Sequence, residues 1–116
     1  MTNPRHRLLP ALLLALPLAA CGNTTLGRVL TGSPRAPYGG RVRVALDSAP
    51  VPEGFVEIAL LQARGHGTHA DLEHVVSGLQ AECARLGGEL VVRVRVDQGA
   101  NGANGVGVCG FESSPR

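Results

Sequence analysis

Apolar and polar residues alternate with a period of two at 41–46, "RVRVAL", placing Val42, Val44 and Leu46 on one side and Arg41 and Arg43 on the other. That alternation predicts a half-buried strand. After a loop holding Pro50 and Pro52, "FVEIALL" at 55–61 is apolar on both sides except at Glu57, which predicts a second strand covered on both faces. "QARGHGTHA" then breaks the pattern. From 71 to 86 the apolar residues are Leu72, Val75, Val76, Leu79, Cys83 and Leu86, the spacing of one helix face. Thr68 followed by Asp71 resembles a capping arrangement, Asp71 and Glu73 suit the positive end of the helix dipole, and Gly87-Gly88 ends the helix. "ELVVRVRV" at 89–96 predicts a third strand with Leu90, Val92, Val94 and Val96 inward and Arg93 and Arg95 outward. "DQGANGANG" reads as a loop with Asn104-Gly105 as its hairpin turn, and "VGVCGF" at 106–111 as a fourth strand.

The sum is an α+β fold, a small ββαββ domain over 41–113 with one helix packed on one face of a four-stranded sheet. A strand order of 2-1-3-4 would make the two "RVRV" segments neighbours. Arg41, Arg43, Arg93 and Arg95 would then gather on the face away from the helix, with Phe55, Ala59 and Leu61 beside them. Arginine and aromatic residues are enriched in interface cores, so this face is a candidate docking surface. The plainer alternative is a solvated face whose arginines pair with Glu57 and Glu89.

The most apolar stretch lies outside that domain. "LLPALLLALPLAACGN" holds thirteen residues from Leu8 to Ala20, interrupted by Pro10 and Pro17, whereas a membrane-spanning helix needs about 20. Arg5 and Arg7 precede the leucine run and small residues follow it, the layout of an export signal. Leu18-Ala19-Ala20-Cys21 resembles the lipobox of bacterial lipoproteins. The resemblance implies removal of residues 1–20, acylation of Cys21, and a membrane anchor of two or more acyl chains. Gly22, rather than an aspartate, after the cysteine implies outer-membrane delivery. Residues 21–40, rich in Gly, Pro, Ser and Thr, read as a lipidated N-terminus and tether, with "TLGRVLTG" as an edge strand the alternative; residues 114–116 read as a tail.

Processing also changes the charge. The 116-residue chain has a formal net charge of +2 and no lysine. Removing Arg5 and Arg7 leaves nine arginines against nine acidic residues, so no basic excess remains for nucleic acid. With no Trp, one Tyr and two Phe, base-stacking platforms are excluded as well.

With Cys21 committed to lipid, Cys83 and Cys109 remain, and in an oxidising envelope two such cysteines are most simply a disulfide. Strict alternation sets Cys109 opposite in facing to Val106 and Val108, so either Gly107, Cys109 and Phe111 face the helix or a bulge intervenes. "GHGTHADLEH" groups His66, His69 and His74, residue types that bind zinc or copper. On a helix, however, His69 and His74 diverge, and His69 with Glu73 supplies only two ligands. A polar loop and helix start is the plainer reading, and no cofactor is expected. There is no GxSxG, no phosphate loop with lysine, and no framed carboxylate pair, and "GANGANGVG" leads into a strand rather than a helix. No enzyme is expected.

"LQAECARLGGELVVRVRV" followed by "GVGVC" resembles the helix-strand core of small envelope lipoproteins of the Rcs stress-sensor type and of YbjQ-like α/β domains, over about forty residues. Gly87-Gly88-Glu89 stands where Gly-Ala-Asn is usual, and the domain has two cysteines where the stress sensor has four. The resemblance implies the fold class, an envelope location and a helix-to-strand disulfide. The sequence therefore reads as a non-enzymatic lipoprotein that binds an envelope partner in a sensor or assembly role, the alternative being a metal-binding lipoprotein using His66, His69 and His74.

Overall fold

A computed structural model describes residues 22–100 and 102–113. The expected signal segment 1–20, the lipidation site Cys21 and the tail 114–116 lie outside the described residues. The chain forms strands β1 (Asn23–Leu30), β2 (Arg43–Leu46) and β3 (Phe55–His66), a short 3-10 turn (Gly67–His69), helix α1 (Leu72–Arg85), and strands β4 (Leu90–Gly99) and β5 (Gly102–Glu112). The five strands make one mixed sheet in the order β1-β3-β5-β4-β2. Only the β2–β4 pairing is parallel. The α+β class and the single helix on the sheet agree with the sequence; the strand number and order do not.

The additional strand comes from the segment read as a tether, and agrees with the alternative of an edge strand at "TLGRVLTG". Residues 23–30 pair antiparallel with β3, from Asn23 opposite His66 to Leu30 opposite Ala59. Residues 31–40 are also docked. The Thr31 and Gly32 N–H groups donate to Ile58 O, Arg35 N–H to Leu86 O and Tyr38 N–H to Ala84 O, all at 2.9 Å. The Arg35 guanidinium stacks 3.9 Å above the centroid of Phe111. Composition pointed to a flexible linker, but main-chain pairing needs no hydrophobic periodicity, and Gly-, Ser- and Pro-rich chain can supply it.

Two bulges decide which residues meet the helix. The register of β3 slips between Glu57 and Ala59, so both Ile58 and Ala59 enter the core, followed by Leu61 and Ala63. Ala59 and Leu61 were expected on the face away from the helix; a one-residue bulge exchanges the faces. In β4 the slip lies between Val92 and Arg95. Val91 and Val94 join the helix-side core, and Leu90 and Val92 do not. Leu90 and Val92 are nevertheless only 2% and 1% exposed. Residues 47–54 lead from β2 to β3, which lie on either side of β4 and β5 in the sheet, and Ala49, Val51 and Pro52 are half-buried.

Strand β5 is longer than expected. Gly99 pairs with Gly102, so Asn104-Gly105 lies within the strand and not at the hairpin turn. Gly105, Gly107 and Cys109 face the helix side, opposite Ala63, Leu61 and Ala59. A Cβ on Gly105 would run into Val75, and one on Gly78 would lie 3.1 to 3.4 Å from Leu26, Thr24 and Ala63. The glycines thus let α1 settle close to the sheet. Cys83 of α1 and Cys109 of β5 form a disulfide across this contact, with Cα atoms 5.4 Å apart. Gly88 is wedged against both sulfurs, where a side chain has no room.

The helix is capped by Asp71, not Thr68. The His74 N–H donates to Asp71 Oδ1 at 2.9 Å, as an N-cap requires. At the other end Gly87, with φ 85°, and Gly88 turn the chain back so that their N–H groups donate to Ala84 O and Cys83 O. Glu82 is buried at the junction of helix and sheet. It receives Arg28 Nη1 of β1 at 2.8 Å and Arg85 through three hydrogen bonds of 2.8 to 3.1 Å.

Candidate interaction surface

The helix packs on one face of the sheet. On the opposite face lies an open groove of about 550 Å³, lined by Gly27 and Val29 of β1, Leu60 and Gln62 of β3, Val106 and Val108 of β5, and Arg93 of β4. Val29, Leu60 and Val106 are 62%, 45% and 39% exposed. The pairings Val29–Leu60, Leu60–Val108 and Gln62–Val106 align these side chains across three strands. Gln62 Nε2 donates to Asn104 Oδ1 at 2.8 Å and closes one end of the row. No acidic side chain lines the groove.

Gly27 makes the hollow. Its backbone is not left-handed, and an added Cβ would meet nothing nearer than Gln62 at 4.0 Å. Neither chain conformation nor packing requires glycine here. Arg93 presents the converse. It sits in the β4 bulge with φ 55°, the single non-glycine residue with positive φ among those described. An L-residue in this region is strained by about 1–2 kcal/mol, and the bulge aims the arginine at the groove.

The four arginines and Phe55 expected on a docking face are only partly brought together. Arg93 lines the groove, and Arg95 lies opposite Val106 on the same side. Arg43 and Phe55 do not line the groove. Arg43 Nη2 donates to Glu112 Oε1 at 2.6 Å, and that bond raises the Arg43 pKa above its ordinary value. Phe55 lies against Gly110. Arg41 borders a separate depression with Gln80 and Ala84 on the helix side. Strand β2 pairs only with β4 at the sheet edge, which separates Arg41 from the groove. Leu60, Val106, Val29 and Gly27 were missed, because face assignment depended on the β3 bulge and because β1 was read as linker. The exposed valine and leucine of "RVL" and "ALL" were the available signal.

The histidines lie at the other end of the molecule. His69 belongs to the 3-10 turn, so helical spacing does not separate it from His74: the rings stack with centroids 4.1 Å apart. His69 Nδ1 hydrogen-bonds with Thr24 Oγ1 at 3.1 Å, and His74 Nδ1 with Asp71 Oδ1 at 2.7 Å. The His74 backbone N–H first, and its imidazole second, hold the Asp71 carboxyl below its ordinary pKa. His66 faces a different depression, beside Arg64 and Asp97. Among the described residues no three His, Cys, Asp or Glu side chains converge as metal ligands. Among the same residues no helix is long and apolar enough to cross a membrane.

No protein family, curated protein or solved structure matches this chain.

Proposed function

We propose that this is a non-enzymatic lipoprotein of the bacterial cell envelope, anchored through acylated Cys21 in the outer membrane and facing the periplasm, whose disulfide-stapled domain binds an envelope protein in a sensor or assembly role. The observation that carries the binding role is the apolar groove on the bare sheet face. Exposed side chains of Val29 and Leu60 stand there in one cross-strand row with Val108, and Val106 lies beside them in the next, close to a free edge strand. Contiguous apolar surface on a small domain marks interaction sites. The anchor rests on the lipobox at 18–21 and the export layout before it.

The test is blue-native electrophoresis of envelope extracts made in mild detergent. The full-length protein is expected to migrate in a discrete complex that Leu60→Asp and Val106→Asp dissolve while the disulfide persists. Migration of the native protein as free monomer would overturn the binding reading. For the anchor, palmitate labelling is expected and Cys21→Ser should abolish it; an unlabelled native protein would contradict it.

A further inference from the structure

Two residues in the groove depart from what their local structure favours, in opposite directions. Gly27 is a glycine in a strand interior, where a side chain is sterically free and would favour the strand. Arg93 is an arginine at a left-handed bulge position that favours glycine. Proteins depart from local preference chiefly at functional sites. Here the two departures produce one shape, a hollow over β1 with a guanidinium opposite it on β4.

We propose that this hollow receives an amphipathic helix of a partner protein, its apolar stripe seated on Val29, Leu60 and Val106 and an acidic side chain paired with Arg93. The inference rests on the partner-binding reading above and names the chemistry of the partner. A sheet face presents side chains and no free main-chain donors or acceptors, so an extended peptide laid across it would leave its own backbone unpaired; a helix satisfies its backbone internally. The groove crosses β1, β3, β5 and β4, about 14 Å at the usual strand spacing, or roughly nine residues of helix. The charge is complementary: Arg93 forms no ion pair among the described residues, and no carboxylate lines the groove. Asp97, the nearest acidic residue along β4, lies opposite Asn104 beyond the groove's end. A hollow also fits a convex rod better than a flat bilayer. The bound helix would mirror α1 and complete a three-layer arrangement.

The test uses the full-length protein with p-benzoylphenylalanine in place of Leu60, reconstituted in phosphatidylethanolamine and phosphatidylglycerol vesicles. It is irradiated with a fifteen-residue helical peptide bearing a leucine stripe flanked by glutamates, or with the same peptide flanked by lysines, and adducts are weighed by mass spectrometry. The glutamate peptide is expected to give about tenfold or more adduct than the lysine peptide, as loss of an arginine anchor's partner typically costs. Arg93→Gly should remove that preference, and Gly27→Val should remove the adduct, each with a melting temperature at or above the parent's. Because neither substitution opposes the local fold, loss of adduct cannot be ascribed to unfolding. Equal adducts from both peptides, no adduct, full retention in both variants, or lipid as the main adduct would each overturn the proposal. A native complex dissolved by Leu60→Asp, together with no preference between the peptides, would remove the acidic helix and leave the partner-binding reading standing.

Discussion

Arg93 and Asp71 carry opposite kinds of local energetics, one opposing the fold and one supporting it. The backbone of Arg93 is left-handed, with φ 55°, so Arg93→Gly relieves the strain and is expected to stabilise the protein by up to about 1 kcal/mol after glycine's own entropy is counted. Urea unfolding measures it; destabilisation would show that the arginine holds the bulge in place. Asp71 caps α1, and its two contacts with His74 lower its pKa. A carboxylate with a lowered folded-state pKa supports folding fully above its ordinary value near 4, and loses that support as pH falls through the lowered value. Asp71→Asn keeps a capping oxygen without the charge. The variant should therefore unfold less steeply than wild type below about pH 4, as followed by circular dichroism. An unchanged acid limb would contradict the assignment.

At the scale of elements, the glycines of β5 matter more than their appearance as a loop suggested. Gly105 lies under Val75 and leaves no room for a side chain, so Gly105→Val should cost about 1–3 kcal/mol by overpacking. A loss below 0.5 kcal/mol would mean that the helix adjusts freely. Helix α1 was legible because its 3.6-residue period runs over four turns and its glycine stop is unambiguous. The Cys83–Cys109 disulfide was legible from the cysteine count once Cys21 is assigned to lipid, whereas the alternation of Val106, Gly107, Val108 and Cys109 left two facings open, of which the structure shows Gly107 and Cys109 toward the helix. The face of β3 was not legible, because a bulge has no periodicity signal and shifts every following residue by one. Strand β1 was hidden for another reason. "NTTLGRVL" is an edge strand whose side chains are mostly exposed, so no burial alternation marks it, and its links to the rest include main-chain pairing, the Arg28–Glu82 ion pair and the Thr24–His69 hydrogen bond. The groove was lost with it, since Gly27 and Val29 of β1 form one of its sides.

On the scale of the whole molecule, the packed core and the apolar groove proposed for recognition lie on opposite faces of one sheet. The helix side holds the core, the buried Glu82 junction and the Cys83–Cys109 disulfide, which closes a separation of 26 residues. By the chain-entropy argument that closure contributes about 3.5 kcal/mol, and the Cys83→Ala/Cys109→Ala double variant should lose about that much in urea unfolding. A loss below about 1 kcal/mol would show that the core alone suffices. The fold also shortens the reach of the proposed anchor. Strand β1 begins at Asn23, two residues after Cys21, so a lipid on that cysteine would hold the 3-10 turn and the stacked histidines beside the bilayer, with no tether between. The groove on the bare face would then meet partners at the membrane surface. The most direct test is photocrosslinking in the intact envelope, with p-benzoylphenylalanine at position 60 of the groove or at position 77 on the exposed side of α1. A discrete protein adduct from position 60, weakened by Arg93→Gly and absent from position 77, is the predicted result; equal adducts from both positions, or none from position 60, would contradict it.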